Sequence, residues 1–275
     1  MSSVAEPTPF GALLREWRDR RHLSQLELAS GSAVSTRHLS FIETGRARPS
    51  REMVLHLAER LQIPFRARNR LLVAAGFAPI YAERTLGDDA MAPVRAALDQ
   101  FLAAHEPYPA IVLDRLRNVV ATNGAVGVLT EGVAPELLEP PMNALRIALH
   151  PDGLASRIVN FGVWSRHLLS RVTREATSTG DPEIAALCAE LAAYPNVGVA
   201  EDHAEIPTAE DIVLPLRLSD AAGELSLFST ITVFGTAREV TLSEIAIEAF
   251  YPADAETAAA LHDRASACGS PLAQQ

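Results

Sequence analysis

Lysine is missing altogether: all 24 basic side chains of this 275-residue chain are arginine. The bias runs from one end to the other, so base composition of the gene explains it better than any single site does. Cysteine is almost as scarce. Cys188 and Cys268 stand far apart with no CxxC partner, which excludes a disulfide framework and a thiolate metal site and leaves two free thiols. No stretch approaches the roughly 18 apolar residues of a membrane span. The opening MSSVAEPTPF lacks the basic and apolar regions of a secretory leader. A cytoplasmic chain with no membrane insertion is the expectation. GxSxG, HExxH, GxGxxG and P-loop patterns are all absent, so the common hydrolase, metalloprotease and nucleotide signatures find no support. The eight histidines are scattered. His150 precedes a turn, His105 and His203 fall in expected loops, and His262-Asp263 has no nucleophile at motif spacing. No catalytic residue, metal site or cofactor is read from them.

What is present is a chain that is 48% hydrophobic, globular in composition and long enough for two ordinary domains. Its net charge of −10 is unevenly spread. Residues 1–84 hold 13 arginines against 8 carboxylates, a net of +5, and residues 85–275 hold 11 against 26, a net of −15. A basic head on an acidic body is the electrostatic layout of a nucleic-acid reader joined to an effector.

The stretch LSQLELASGSAVSTRHLSFIETGRARP, residues 23–49, is the most informative. Ser24 and Glu27 form a capping box for a short helix that stops near Gly31. Ser35 caps a second helix with Leu39 and Ile42 as its buried stripe, and Gly45 supplies a left-handed end. Two helices joined by about four residues make a helix-turn-helix. A helical hairpin in an ordinary core is the plain alternative. Against it stands the exposed set Arg37, His38, Ser40, Arg46 and Arg48, able to meet base edges and phosphates. Gln25 is expected at a phosphate beside a helix N-terminus. Ser35 and Thr36 open the recognition helix, Arg37 is the expected guanine reader, and Phe41 either meets a thymine methyl or packs inward. Arg46 and Arg48 are expected on the backbone of a double-stranded operator.

Around this motif, Thr8-Pro9 starts a first helix with Phe10, Leu13, Leu14 and Trp17 at helical spacing. Ser50 caps a fourth carrying Val54, Leu57, Ala58 and Leu61, and a fifth spans about Arg66 to Ala75. The expected fold class is α+β in two domains: a five-helix, phage-repressor-like domain over 1–82, a linker and connecting helix over 83–105, a PAS-like antiparallel sheet with flanking helices over 106–265, and a tail over 266–275. In the second domain, Ala110–Asp114 and Asn118–Thr122 read as a hairpin, Leu154–Glu175 and Asp181–Tyr194 as helices, and Asn196–Asp211 as loop. Leu214–Leu218, Leu225–Val233 and Ile245–Ala249 read as strands, with Glu244 and Glu248 opposite the apolar face.

Resemblance adds to this. VSTRHLSFIETGRARPSREMVLHLAERLQIPFRARNRLLVAAGFAP resembles the XRE-type head of MmyB-like transcriptional regulators. HEPYPAIVLDRLRNVVATN, LHPDGLASRIVN, HLLSRVTRE, GELSLFSTITVFGT and FYPADAETA resemble that family's C-terminal domain. The resemblance covers about residues 8 to 261. It implies a bacterial transcription factor whose PAS-like second domain holds a small, apolar, fatty-acid-like ligand; a homodimer is expected on geometry, since one such helix-turn-helix rarely buries enough DNA surface alone.

Within that domain Asn160, Trp164, His167 and Arg171 are spaced 4, 3 and 4, along one side of a helix. An apolar pocket beside His167 and Arg171 would hold an acyl tail and a carboxylate head. The plain alternative is a half-exposed stripe with Arg171 paired to a surface acid. Phe228, Thr230, Thr232 and Phe234 alternate along one strand face and are candidates for the pocket floor, or for plain core. A protein-interaction module anchored to DNA, with no small ligand, is the rival reading of the whole.

Overall fold

The computed structural model describes residues 9–197, 213–221 and 223–269. They divide into two compact units, with the main break between Arg84 and Thr85.

The first unit carries five helices: α1 (Pro9–Arg20), α2 (Gln25–Gly31), α3 (Thr36–Glu43), α4 (Arg51–Arg60) and α5 (Phe65–Ala74). Local chemistry sets their ends. The Ser24 hydroxyl accepts from the Glu27 amide while the Glu27 carboxylate accepts from the Ser24 amide, closing the capping box. Ser35 accepts from the His38 amide and Ser50 from the Met53 amide, each cap contributing about 1 kcal/mol. The Thr8 cap lies outside the described residues. Phe10, Leu14, Leu28, Leu39, Ile42, Leu57 and Leu72 meet in one core. Gly11 lets α1 lie on the end of α3: a Cβ there would stand 2.4 Å from the Glu43 carbonyl oxygen.

The second unit is built on a five-stranded antiparallel sheet in the order β2-β1-β5-β4-β3. Its strands are β1 (Ala110–Leu113), β2 (Val119–Thr122), β3 (Leu216–Asp220), β4 (Gly223–Val233) and β5 (Ala246–Pro252). Both faces are covered along the centre, so β1 is buried throughout, as strands with two packed faces are. One face carries Ala110, Val112, Ile245 and Ile247 against Leu98 and Leu102 of α6 (Ala92–Ala104). The other carries Ile111, Leu216, Leu227 and Phe250 into the main core. That core is completed by α7 (Gly127–Thr130), α8 (Pro135–Leu138), α9 (Ala144–Leu149), α10 (Phe161–Thr179), α11 (Pro182–Ala192) and α13 (Ala255–Gly269), while α12, the single turn Val240–Glu244, falls almost wholly in the first unit.

Several expectations need correction. The helix expected from Leu154 starts at Phe161, because Ile158 bridges to Leu218 and the Val159 amide donates to the Arg217 carbonyl. Backbone used in that pairing is unavailable to a helix. The expected connecting helix is present as α6 and packs on the sheet. Four helices were not expected: the short α8 and α12, α9, capped by Asn143, and α13, which occupies the start of the expected tail and ends at Gly269. Beyond Val197, the expected loop to Asp211 lies outside the described residues, as does the chain after Gly269.

Candidate functional site

The head presents an arginine face on a rigid base. Arg18 of α1 lies under α3, where its Nε donates to Glu43 Oε1 at 2.8 Å and its Nη2 to Oε2 at 3.2 Å. Its Nη1 donates to the Leu23 carbonyl at 2.8 Å. The bonds to Glu43 hold the Arg18 pKa above its ordinary value, against the opposing effect of burial. Gln25 Nε2 donates to Glu43 Oε2 at 2.7 Å, so the side chain expected at a phosphate is first committed to fixing α2 against α3. At the far end of α3, Gly45 has a φ of 74°, and the Arg46 and Ala47 amides both donate to the Phe41 carbonyl.

Ser35, Thr36, Arg37, Arg46 and Arg48 are exposed, while Gln25, His38, Ser40 and Phe41 are half-buried. The Ser35 hydroxyl is engaged in capping. The Arg37 guanidinium lies 5.3 Å from the Phe41 ring centroid, a cation–π contact that aligns the arginine along the helix. Phe41 thus backs Arg37 while half-buried.

The second unit holds a narrow cavity of about 80 Å³ between the sheet and the helices. Its wall is mostly apolar: Ile111, Val126, Leu145, Leu154, Leu168 and Phe250 are typical. Two charged side chains reach it, Arg171 and Glu248. Asn160 sets where α10 lies. Its Nδ2 donates to the Pro215 carbonyl at 2.8 Å and its Oδ1 accepts from the Arg217 amide at 3.2 Å, which clamps the start of α10 to β3. Asn160 is therefore a strut and not part of the wall. The buried arc of α10 is centred on Leu168 and Val172. Trp164, Leu168 and Arg171 line the cavity from it, with Arg171 at the margin of the arc.

His167 falls outside that arc and is exposed. Partial burial of its ring, then the Arg171 and Arg174 charges, hold its pKa below the usual histidine value. The expected clamp of His167 and Arg171 is not assembled. Beside Arg171 stands Glu248, with Oε2 3.8 Å from Nη2. The expected floor is also on the wrong face. Phe228 stacks on Tyr251 with centroids 5.3 Å apart, Thr230 and Thr232 are exposed, and Phe234 packs on the α6 side. Leu216, Glu248 and Phe250 form the sheet wall in their place. The reason is register. Leu216 pairs with Leu227 and Ser229 with Phe250, and partners in register share a face, which turns Phe228 and Thr230 away.

Glu248 and α9 were the residues missed. A lone carboxylate inside the run Ala246–Tyr251 was the available signal for the first, and Asn143 before ALRIAL for the second.

Two family models match this chain. One, described as "Helix-turn-helix domain", matches residues 9–71. The other, described as "MmyB-like transcription regulator ligand binding domain", matches residues 94–263. The chain belongs to the MmyB-like transcription regulators. The regulator thus joins a DNA-binding helix-turn-helix head to a ligand-binding domain. No curated protein matches it. Among solved structures it is similar to a chain titled "Structure of an RNA-binding Light-Oxygen-Voltage Receptor", at 18% identity and a TM-score of 0.28. The match covers 94% of the regulator and 62% of that chain, so the regulator spans less than two thirds of its length. At that score the likeness carries no argument. Among the described residues no helix is long and apolar enough to cross a membrane, and no group of three metal-ligating side chains occurs.

Proposed function

We propose that the regulator reads a specific DNA sequence through α3 and is controlled by a small, fatty-acid-like ligand in the cavity of its second unit. Arg37 reads a base edge, Thr36 and Ser40 support it, and Arg46 and Arg48 hold phosphates. The ligand's chain lies against Ile111, Leu145, Leu168 and Phe250, and its polar end faces Arg171. Two copies bind DNA together, since a single head of this size covers little of a site. The protein works by binding, in the cytoplasm, and not by turnover.

The observation that carries the reading is the lining of the cavity: an apolar wall with a single charged corner, the make-up of a small-ligand site. A protein-docking module needs no such hollow. Mass spectrometry of the purified full chain, intact and after organic extraction, tests it. A lipid-like molecule close to one per chain supports the reading. A bare chain that also takes up no added medium-chain lipid would overturn it in favour of the protein-docking module.

A further inference from the structure

We propose that the cavity takes up its fatty-acid-like ligand together with one proton, shared between Glu248 and the ligand's carboxyl head, so that uptake weakens as pH rises. This rests on reading the cavity as a ligand site. Among the described residues, the charged side chains on its wall are Arg171 and Glu248. They form an ion pair, with Arg171 Nη2 3.8 Å from Glu248 Oε2, a separation beyond hydrogen-bond reach. Glu248 is 7% exposed on a central strand, and its Oε1 accepts from the Ser229 hydroxyl at 2.9 Å. Arg171 Nε is buried and finds no hydrogen-bond partner among the described residues.

Without ligand, this corner balances one cation against one anion. A carboxylate head drawn to Arg171 Nε sets two anions against one cation, in a hollow whose wall is otherwise apolar. Two carboxylates in one poorly hydrated site do not both stay ionised, and they titrate as a pair. A single proton from solvent restores neutrality. It also supplies a donor between the head and Glu248 Oε2, the oxygen that Ser229 leaves open. The neighbouring elements offer no second cation. β4 sets Ser229 and Ile231 beside Glu248, and β1 sets Ile111 there. The wall hydroxyls of Thr122 and Thr130 are neutral. On α10, His167 feels the charge of Glu248, but burial and then the Arg171 and Arg174 charges hold its pKa below the usual histidine value. It is therefore largely uncharged above neutral pH. Arg174 is exposed, where solvent screens it.

The test is calorimetric titration of the full chain, stripped of extractable lipid, with decanoic acid and with decanol. Each is run at about pH 7.5, where the acid is ionised in solution, in phosphate and in Tris. These buffers differ in heat of ionisation, so the difference in observed heat counts protons taken up per ligand bound. The wild-type chain should take up about one proton with the acid and close to none with the alcohol. Its affinity for the acid should fall by up to about tenfold per pH unit between roughly pH 6.5 and 8. Glu248→Gln keeps an acceptor for Ser229 and removes the charge, so it should bind the acid without proton uptake and with little pH dependence. Uptake by the wild type no greater with the acid than with the alcohol overturns the proposal while leaving the cavity a ligand site, and this comparison needs no variant. Uptake undiminished in folded Glu248→Gln, or binding of the alcohol alone, overturns it in the same way. Binding of neither probe overturns the ligand reading, and the proposal with it.

Discussion

Replacing Arg18 by methionine keeps the length of its stem and removes the guanidinium. Glu43, whose side chain is 2% exposed, then loses its donors at 2.8 and 3.2 Å and retains only Gln25 at 2.7 Å. The Leu23 carbonyl loses a donor as well. Removing one partner of a buried ion pair costs about 3–5 kcal/mol, because a desolvated charge is left without compensation. For a unit of this size each kcal/mol moves the midpoint by roughly 4–8 °C, so the head of Arg18→Met should melt about 12 °C or more below the parent. Adding Glu43→Met removes the stranded charge and should restore all but about 1–2 kcal/mol. Trp17 lies in the head core and Trp164 in the second unit. Thermal and urea unfolding followed by tryptophan fluorescence in a Trp164→Phe background therefore report the head alone. A single-variant loss below about 1 kcal/mol, or a double variant no more stable than the single, would refute the reasoning.

On the DNA face, Arg37→Ala should cost about 1–3 kcal/mol on the preferred duplex and relax discrimination at one base position, whereas Arg48→Ala should weaken all duplexes alike and reduce the salt slope by about one. Fluorescence anisotropy on a duplex selected from a random pool, against scrambled duplex, checks both. Equal losses on the two duplexes from Arg37→Ala would deny it a base contact. Burial, then the bond from its hydroxyl to Glu190 at 3.0 Å, pushes the Tyr194 phenol up to about 12. A raised acid pKa favours the neutral form in the folded state. Tyr194 thus supplies stability that is fully present below the unfolded value of about 10 and is lost as pH rises towards 12. Phenolate absorbance should show a late-titrating tyrosine that vanishes in Tyr194→Phe. Titration of Tyr194 near 10 would contradict the burial argument.

Much of the head was legible because its signals are local. The Ser24–Glu27 box, the Ser35 cap and the Gly45 turn each depend on residues within a few positions of one another, and the apolar spacing of α1 and α4 left little choice of buried face. The strands of the second unit were readable from alternation, but which face of β4 meets the cavity was not. Alternation marks two faces, and only the pairing of Leu216 with Leu227, Ser229 with Phe250 and Ile231 with Glu248 decides between them. The same non-local fact hid Glu248. A carboxylate opposite Ile247 reads as solvent-facing on a strand at the surface, yet β5 lies between β1 and β4 with both faces covered. On α10, even spacing placed His167 and Arg171 together, and the arc chosen by the core separated them. The helix start was lost to backbone pairing at Ile158 and Val159, which no cap signal announces.

The most direct test of the account joins cavity to operator. The full chain, loaded with its extracted ligand and separately stripped of it, is titrated onto the selected duplex, alongside Ala148→Phe, whose ring would enter the cavity from α9. The account predicts that loaded and stripped wild-type protein differ in duplex affinity by about five-fold or more, and that Ala148→Phe takes up no ligand and shows one affinity under both treatments. Identical affinities for loaded and stripped wild-type protein would contradict it.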